Sequence, residues 1–294
     1  MRRRLLCLLL CLLLCLLILP LFAEAEESFF EAAEKDALGR IVRTFDSPTL
    51  KYQMEKFKMD NEICYLTRIW VQDPARQIRK ATSNWKEDVK YPDKIVKQIP
   101  ETVLAVNGSG FVSPLYPEIP DNYPGESKDY YYTPLGSITV TNGEVLRNLE
   151  DVPYYGLTLD ADGLQMYTEA DNAEVLATNP IQTWSFYTEC PMLLDNLDIL
   201  PDDWPFADRT AARTIIGRVD RNNYLILTAT KQRGKGISLR RAVTFFQENF
   251  KTEWVYNLDG GNSTALLARR QGQKKLRLAL DRGAKIVDIM AFIE

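Results

Sequence analysis

The chain has 294 residues, with 36 Lys and Arg against 40 Asp and Glu, a formal net charge of −4 and no histidine. Its length suits one large domain or a domain with a small extension, and a mildly acidic, well-mixed charge argues against nucleic acid as a partner. The missing histidine excludes Ser-His-Asp and Cys-His catalysis, His-ligated metals and histidine general bases together, which leaves carboxylates, Arg, Lys, Tyr, hydroxyls and backbone amides for any chemistry.

The first residues read as a secretory signal. Three arginines precede an apolar run from Leu5 to about Phe22, and Ala23-Glu24-Ala25 supplies the small residues of a cleavage site after Ala25. The run approaches the ~20 residues that span a bilayer, so an uncleaved membrane anchor is the competing reading. In either case the functional part is expected to be secreted or extracytoplasmic, touching a membrane only through this segment. Cleavage takes three Arg and one Glu, leaving 33 basic against 39 acidic residues. It also takes Cys7, Cys11 and Cys15. Cys64 and Cys190 remain; they can form one disulfide, but their spacing does not demand it, and two thiols alone do not make a four-ligand zinc site.

Residues 26–48 read as an N-terminal extension, helix-permissive but poor in core positions, and 49–294 as the functional domain. "TLKYQMEKFKM" and "EICYLTRIWVQD" alternate apolar and charged residues as half-buried strands do, with Asn61 at the turn between them. "YPDKIVKQIPE" reads as a short helix with Asp93 near its start, and "TVLAVNGSGF" as a buried strand ending in a glycine turn. The Pro/Tyr-rich stretch from Pro114 to Tyr132 has the length of a binding loop or lid. Two hairpins follow, with Asn142-Gly143 and Asp162-Gly163 at their turns. A long run, "RTAARTIIGRVDRNNYLILTAT", leads to a helix at "SLRRAVTFFQENF" with Ser238 as N-cap. The strand and turn of "WVYNLDGGNST" come next, and "KIVDIMAFIE" is a terminal strand. No repeat or low-complexity tract interrupts the pattern. It predicts an α+β fold, a largely antiparallel or mixed sheet flanked by a few helices. It does not set an oligomeric state.

Four places offer chemistry. Asn107 and Gly108 stand in the "AVNGSGF" turn. Arg209 and Arg213 open an apolar strand, and Glu189 ends an aromatic run. Asp259, Gly260, Gly261 and Asn262 either close a polar hairpin or form a nest whose amides, with the hydroxyls of Ser263 and Thr264, hold an anion or a sugar. Asp160 and Asp162, the nearest approach to a metal-binding carboxylate pair, are better read as a hairpin turn.

The three turns occur in a recognisable order: Asn107-Gly108-Ser109-Gly110-Phe111, Arg213-Thr214-Ile215-Ile216-Gly217, and Leu258-Asp259-Gly260-Gly261-Asn262-Ser263. In that order and spacing the chain, from about Leu50 to Glu294, resembles the phosphodiester glycosidase family. It departs from the family's usual pattern at Ser109 and Asn262, where glycines are common, at Ala212, where proline is common, and at Asp195-Asn196 in place of an Asp-Gly turn. These departures mark a divergent member. The resemblance implies an exported hydrolase that frees a sugar from a glycosyl-1-phosphodiester, with a glycan or glycosyl phosphodiester as partner and no cofactor. A phosphodiester leaves readily, so the demands are to hold the phosphate and to support an oxocarbenium-like carbon. Arg213 would grip the phosphate with its planar fork, and Gly260, Gly261, Ser263 and Thr264 would line the pocket with Gly108. Asn107 would hydrogen-bond there, and Asp259 would serve as sugar ligand, as base for water or as electrostatic support. The alternative is a non-catalytic extracellular module of the same fold that binds glycans or glycan phosphates.

Overall fold

Apolar residues arrive in two textures along this chain, and each makes a different kind of strand. Alternating runs make strands with one wetter face, whereas near-continuous runs such as "NYLILTA" make strands buried on both faces. The computed structural model describes residues 29–30, 37–83, 89–111, 136–186, 190–230, 235–280 and 283–294. In chain order the elements are β1 (Arg40–Asp46), β2 (Leu50–Met59), β3 (Glu62–Val71), α1 (Pro74–Gln77), β4 (Ile78–Thr82), α2 (Pro92–Ile95), β5 (Thr102–Asn107), β6 (Ile138–Thr141), β7 (Glu144–Asn148), β8 (Tyr154–Asp160) and β9 (Gly163–Ala170). They continue with α3 (Asn172–Ala177), β10 (Gln182–Trp184), β11 (Pro191–Leu194), β12 (Leu197–Asp198), α4 (Pro205–Asp208), β13 (Arg213–Arg218), β14 (Asn223–Ala229), α5 (Leu239–Asn249), β15 (Trp254–Asn257), β16 (Leu266–Ala268), β17 (Arg277–Leu278) and β18 (Asp288–Ile293).

The strands form an eight-stranded sheet, β1-β2-β3-β14-β13-β15-β11-β12, and two five-stranded sheets, β17-β16-β5-β18-β4 and β7-β6-β10-β8-β9. Every pairing between described strands is antiparallel, so the architecture is the α+β one expected. The main core lies where the eight-stranded sheet meets the second sheet: Tyr52, Ile216, Ile226 and Tyr256 pack with Val106, Leu266, Met290 and Phe292. On the other face, Ile215, Leu225, Leu227 and Val255 meet Leu239, Val243 and Phe246 of α5. Each apolar residue of α5 falls at helical spacing on that one side, and the Ser238 hydroxyl caps its start by accepting from the Arg241 amide at 3.1 Å.

Several local readings hold. The β2–β3 turn places both Asp60 and Asn61 at positive φ, 51° and 67°, as a type I′ hairpin requires. Asn142 and Gly143 do the same between β6 and β7. At the second expected hairpin the tip shifts by one residue: Asp160 pairs with Gly163, so Ala161 and Asp162 form the turn and Gly163, at φ 106°, follows it. The Asp162 amide donates to Asp160 Oδ1 at 2.8 Å, a local bond that draws the turn back toward the aspartates. Arg40–Asp46, within the segment read as the N-terminal extension, forms the edge strand of the large sheet. Cys64 and Cys190 stand as two separate buried thiols. Burial pushes the Cys64 thiol up to about 12, which leaves it unreactive. No helix among the described residues is long and apolar enough to cross a membrane; the N-terminal signal segment, the Pro114–Tyr132 loop and Glu189 lie outside the described residues.

Candidate active site

Asn107 is the last residue of β5 and is fully buried. Its side-chain amide donates to the Asp259 carbonyl at 2.5 Å, and its oxygen accepts from the Thr214 hydroxyl at 2.6 Å and the Ala265 amide at 3.0 Å. One side chain thereby ties β5, β13 and the turn after β15 together, so the three ordered motifs converge. Asn107 does so as a stitch between the two sheets, with its oxygen occupied by internal donors.

Asp259 follows immediately. Its amide donates to the Gly108 carbonyl at 3.1 Å, and its carboxylate accepts from the Gly260 amide at 2.8 Å. The residue is 9% exposed. Burial pushes its carboxyl up to about 7, opposed by hydrogen bonds from Ser263 and Gly260 and reinforced by the nearby charge of Asp288. A carboxyl that exchanges its proton near neutrality, at the rim of a buried polar cluster, is what acid–base chemistry requires of a side chain when histidine is absent.

Asp288 and its partner Lys80 are residues that sequence reasoning missed. Asp288 opens β18, and its Oδ2 lies 3.1 Å from the Lys80 ammonium, with both side chains at most 1% exposed. Lys80 also donates to the Thr183 carbonyl at 2.7 Å and stands 5.9 Å from the centre of the Trp184 ring. Asp288 Oδ1 accepts from the Ser109 amide at 2.7 Å, and the Asp288 carbonyl from the Gly108 amide at 3.1 Å. The Gly108–Ser109 turn is therefore held between Asp259 on one side and the buried Asp288–Lys80 pair on the other. Asp288, the one charge of the otherwise apolar strand "DIMAFI", was the available signal; Lys80 shares "IRKAT" with Arg79 and Thr82 and gave none.

This packing fixes the glycine. A Cβ on Gly108 would sit 2.0 Å from Asp288 Oδ1 and 2.8 Å from Trp184 Cδ1. Gly108→Ala is expected to lower stability by about 1–3 kcal/mol through overpacking and to disturb both carboxylates, read as a reduced urea midpoint with unchanged slope.

The turn at 260–264 differs from the open nest anticipated for it. The Gly260 amide is taken by Asp259's own carboxylate, Gly261 donates to the Ala212 carbonyl at 2.7 Å, Ser263 to Gly260 and Thr264 to Gly261. Only the Asn262 amide is left without an intramolecular acceptor among the described residues of the turn. Gly260 lies so close to Ala212 that an added Cβ would be 2.7 Å from its carbonyl oxygen, so the glycine serves chain contact. Ser263 reaches the Asp259 carboxyl, while the Thr264 hydroxyl is enclosed with no partner.

Arg213 also departs from its expected task. Successive strand residues point to opposite faces, and Thr214 faces Asn107, so Arg213 projects toward the helical side. There it donates to the carbonyls of Arg209 at 2.7 Å, Ile237 at 3.4 Å and Phe206 at 3.5 Å. Burial is the main cause that draws its pKa down to about 10, and it stays charged at neutral pH. Nη1 is left with no partner among the described residues. Arg209 is exposed at the end of α4 and forms no part of this cluster. Asp195 and Asn196 both take positive φ, 50° and 64°, in the β11–β12 turn, so that substitution preserves a tight hairpin. Among the described residues no group of three or more His, Cys, Asp or Glu could hold a metal ion.

The profile of a family described as phosphodiester glycosidase matches residues 100–289, which include all three motifs and Asp288. No curated protein matches the chain. Among solved structures, the fold is similar to the zebrafish N-acetylglucosamine-1-phosphodiester alpha-N-acetylglucosaminidase catalytic domain auto-inhibited by pro-peptide, with a TM-score of 0.62 at 16% identity over 87% of each chain. It is also similar to a hypothetical protein from Synechocystis, with a TM-score of 0.53 at 12% identity over 87% of this chain and 64% of that one.

Proposed function

Since the chain belongs to the phosphodiester glycosidase family, we propose that it is an exported hydrolase that frees a sugar from a glycosyl-1-phosphodiester, with Asp259 as its general base. The single observation that carries this reading is the enclosed Asp259 carboxyl, poised at about 7 where the motifs meet. In the reaction, water attacks the anomeric carbon while the bond from that carbon to the phosphodiester oxygen breaks. The water proton passes to Asp259, and the phosphate departs as a phosphomonoester carrying both bonding electrons. A phosphate of low basicity needs little protonation to leave, so the catalytic effort falls on activating water and supporting positive charge at carbon. The Asn262 amide supplies the remaining free donor of the turn, suited to the phosphate, while Arg213 is held on the opposite face of the sheet by the carbonyls of Arg209, Ile237 and Phe206. Asn107, Thr214 and Gly108 hold the Asp259 backbone in place.

The test is product analysis. The full chain incubated with sugar-1-phosphodiesters is expected to release free sugar and a phosphomonoester. Intact sugar phosphate would mean P–O cleavage and overturn the assignment. A second reading, a glycan-phosphate-binding module without turnover, is favoured by one observation: the chain has no histidine, so Asp259 has no histidine acid–base partner. Binding of a sugar-1-phosphodiester with no turnover across a broad panel would select it.

A further inference from the structure

Outside the Asp259 cluster, the edge strand β1 and the segment after β16 enclose a cleft of about 430 Å³, bordered by Arg40, Arg43, Lys56, Tyr65 and Arg270. A second hollow of about 260 Å³ shares Arg43 and Arg270 with it and adds Arg277. Five cations thus line one continuous recess, and no carboxylate does, in a chain whose formal net charge is −4. Among the described residues none of these five makes an ion pair with a carboxylate.

The five cations have different tasks. Arg43 is structural: its guanidinium donates at 3.0 Å to the carbonyls of Ala268, Arg277 and Leu278, pinning the walls together. Burial, with Arg270 and Arg277 nearby, holds Arg43 below its ordinary pKa against the pull of Tyr52 and Tyr65. Arg40, Arg270 and Arg277 are exposed heads around it. Lys56 sits 5.6 Å from the Tyr65 ring centre, and the Tyr65 hydroxyl has no hydrogen-bond partner among the described residues. Like charges brought together without counter-charge repel one another, and an anion entering the recess relieves that repulsion. The recess is concave, which suits a chain or a compact polyanion entering it better than a flat surface.

We propose that this recess is a second binding site, separate from the Asp259 cluster, that takes a ligand bearing two or more phosphate groups. From Ala265, bonded to Asn107, the chain runs through β16 (Leu266–Ala268) before it reaches Arg270. The residues that line the recess include none of the Asp259 cluster. The proposal stands whether or not the chain hydrolyses glycosyl phosphodiesters.

Calorimetric titration of the full chain with inorganic tripolyphosphate tests it. Saturable binding that weakens as salt is raised is expected. Arg40→Glu combined with Arg270→Glu is expected to weaken it about tenfold or more, with a thermal midpoint matching wild type to show that the protein still folds. Asp259→Asn is expected to leave it unchanged. Absence of saturable binding, survival of binding in the double reversal, or loss of binding in Asp259→Asn would each overturn the proposal. Vesicles containing phosphatidylglycerol supply the last arm: uptake of wild type that the double reversal abolishes, with no binding of tripolyphosphate, would assign the recess to a bilayer surface and overturn the polyphosphate site.

Discussion

Asp259→Asn is expected to lower kcat on a sugar-1-phosphodiester by roughly a thousandfold, within the range of a lost general acid–base group, while leaving the fold intact. An Asn oxygen can still accept from the Gly260 amide, which the wild-type carboxylate does at 2.8 Å. The pH dependence carries the sharper expectation. A base must be unprotonated to work, so wild-type kcat/KM should rise through about pH 7, where the buried carboxyl titrates, and that rise should vanish in the variant. A profile that falls through the same region would make Asp259 the acid. Stability moves the other way. The folded-state pKa is raised from 3.8 to about 7, so the folded protein holds this proton more firmly than the unfolded chain. The resulting stabilisation is complete below about pH 4 and is lost as pH rises through 7. Relative to wild type, Asp259→Asn should therefore gain stability between pH 4 and pH 8, by at most about 4 kcal/mol, measured by urea unfolding at the two pH values.

The second large effect concerns Lys80 and Asp288. Lys80→Met leaves a carboxylate unpaired in a site where both side chains are at most 1% exposed, and should cost about 3–5 kcal/mol. Adding Asp288→Asn removes the stranded charge while keeping an oxygen for the Ser109 amide, so the double variant should recover most of the loss. A Lys80→Met cost below about 1 kcal/mol, or a double variant no better than the single, would show that the pair is not enclosed. Asp288→Asn alone has a catalytic signature. The charge of Asp288 is among the causes that raise Asp259, so the arm of the pH–rate profile near 7 should shift to lower pH. A purely structural role for Asp288 would lower the rate without moving that arm.

Much of this could be read from the residues. The turns declared themselves, because Asp60-Asn61 and Asn142-Gly143 need positive φ that few residues accept. Asn107 and Asp259 were found because each sits beside glycines at the end of an apolar run. Their partnership depends on tertiary register, yet the order of motifs pointed to it. Asp288 and Lys80 were harder to see: Asp288 heads a strand whose apolar residues dominate the pattern, Lys80 follows Arg79 in a short mixed strand, and only the pairing of β4 with β18 brings them together. The direction of Arg213 was hidden differently. Strand parity puts it opposite Thr214, but which face carries the site was unknown until Thr214 was seen on Asn107. The fate of the glycine amides was beyond sequence altogether, since the Ala212 carbonyl that occupies Gly261 comes from another strand's lead-in.

Asn107 has a further consequence for how this protein comes to life. Its three partners lie 107, 152 and 158 residues away along the chain. Contacts of such separation close late, after the entropy of long loops has been overcome. No partly folded fragment can contain the clustered carboxyls in their working arrangement, because the stitch that sets them exists only once both sheets have docked. Acquisition of activity should accordingly coincide with the slowest folding phase, and protection of the Ala265 amide from solvent exchange would serve as its structural clock.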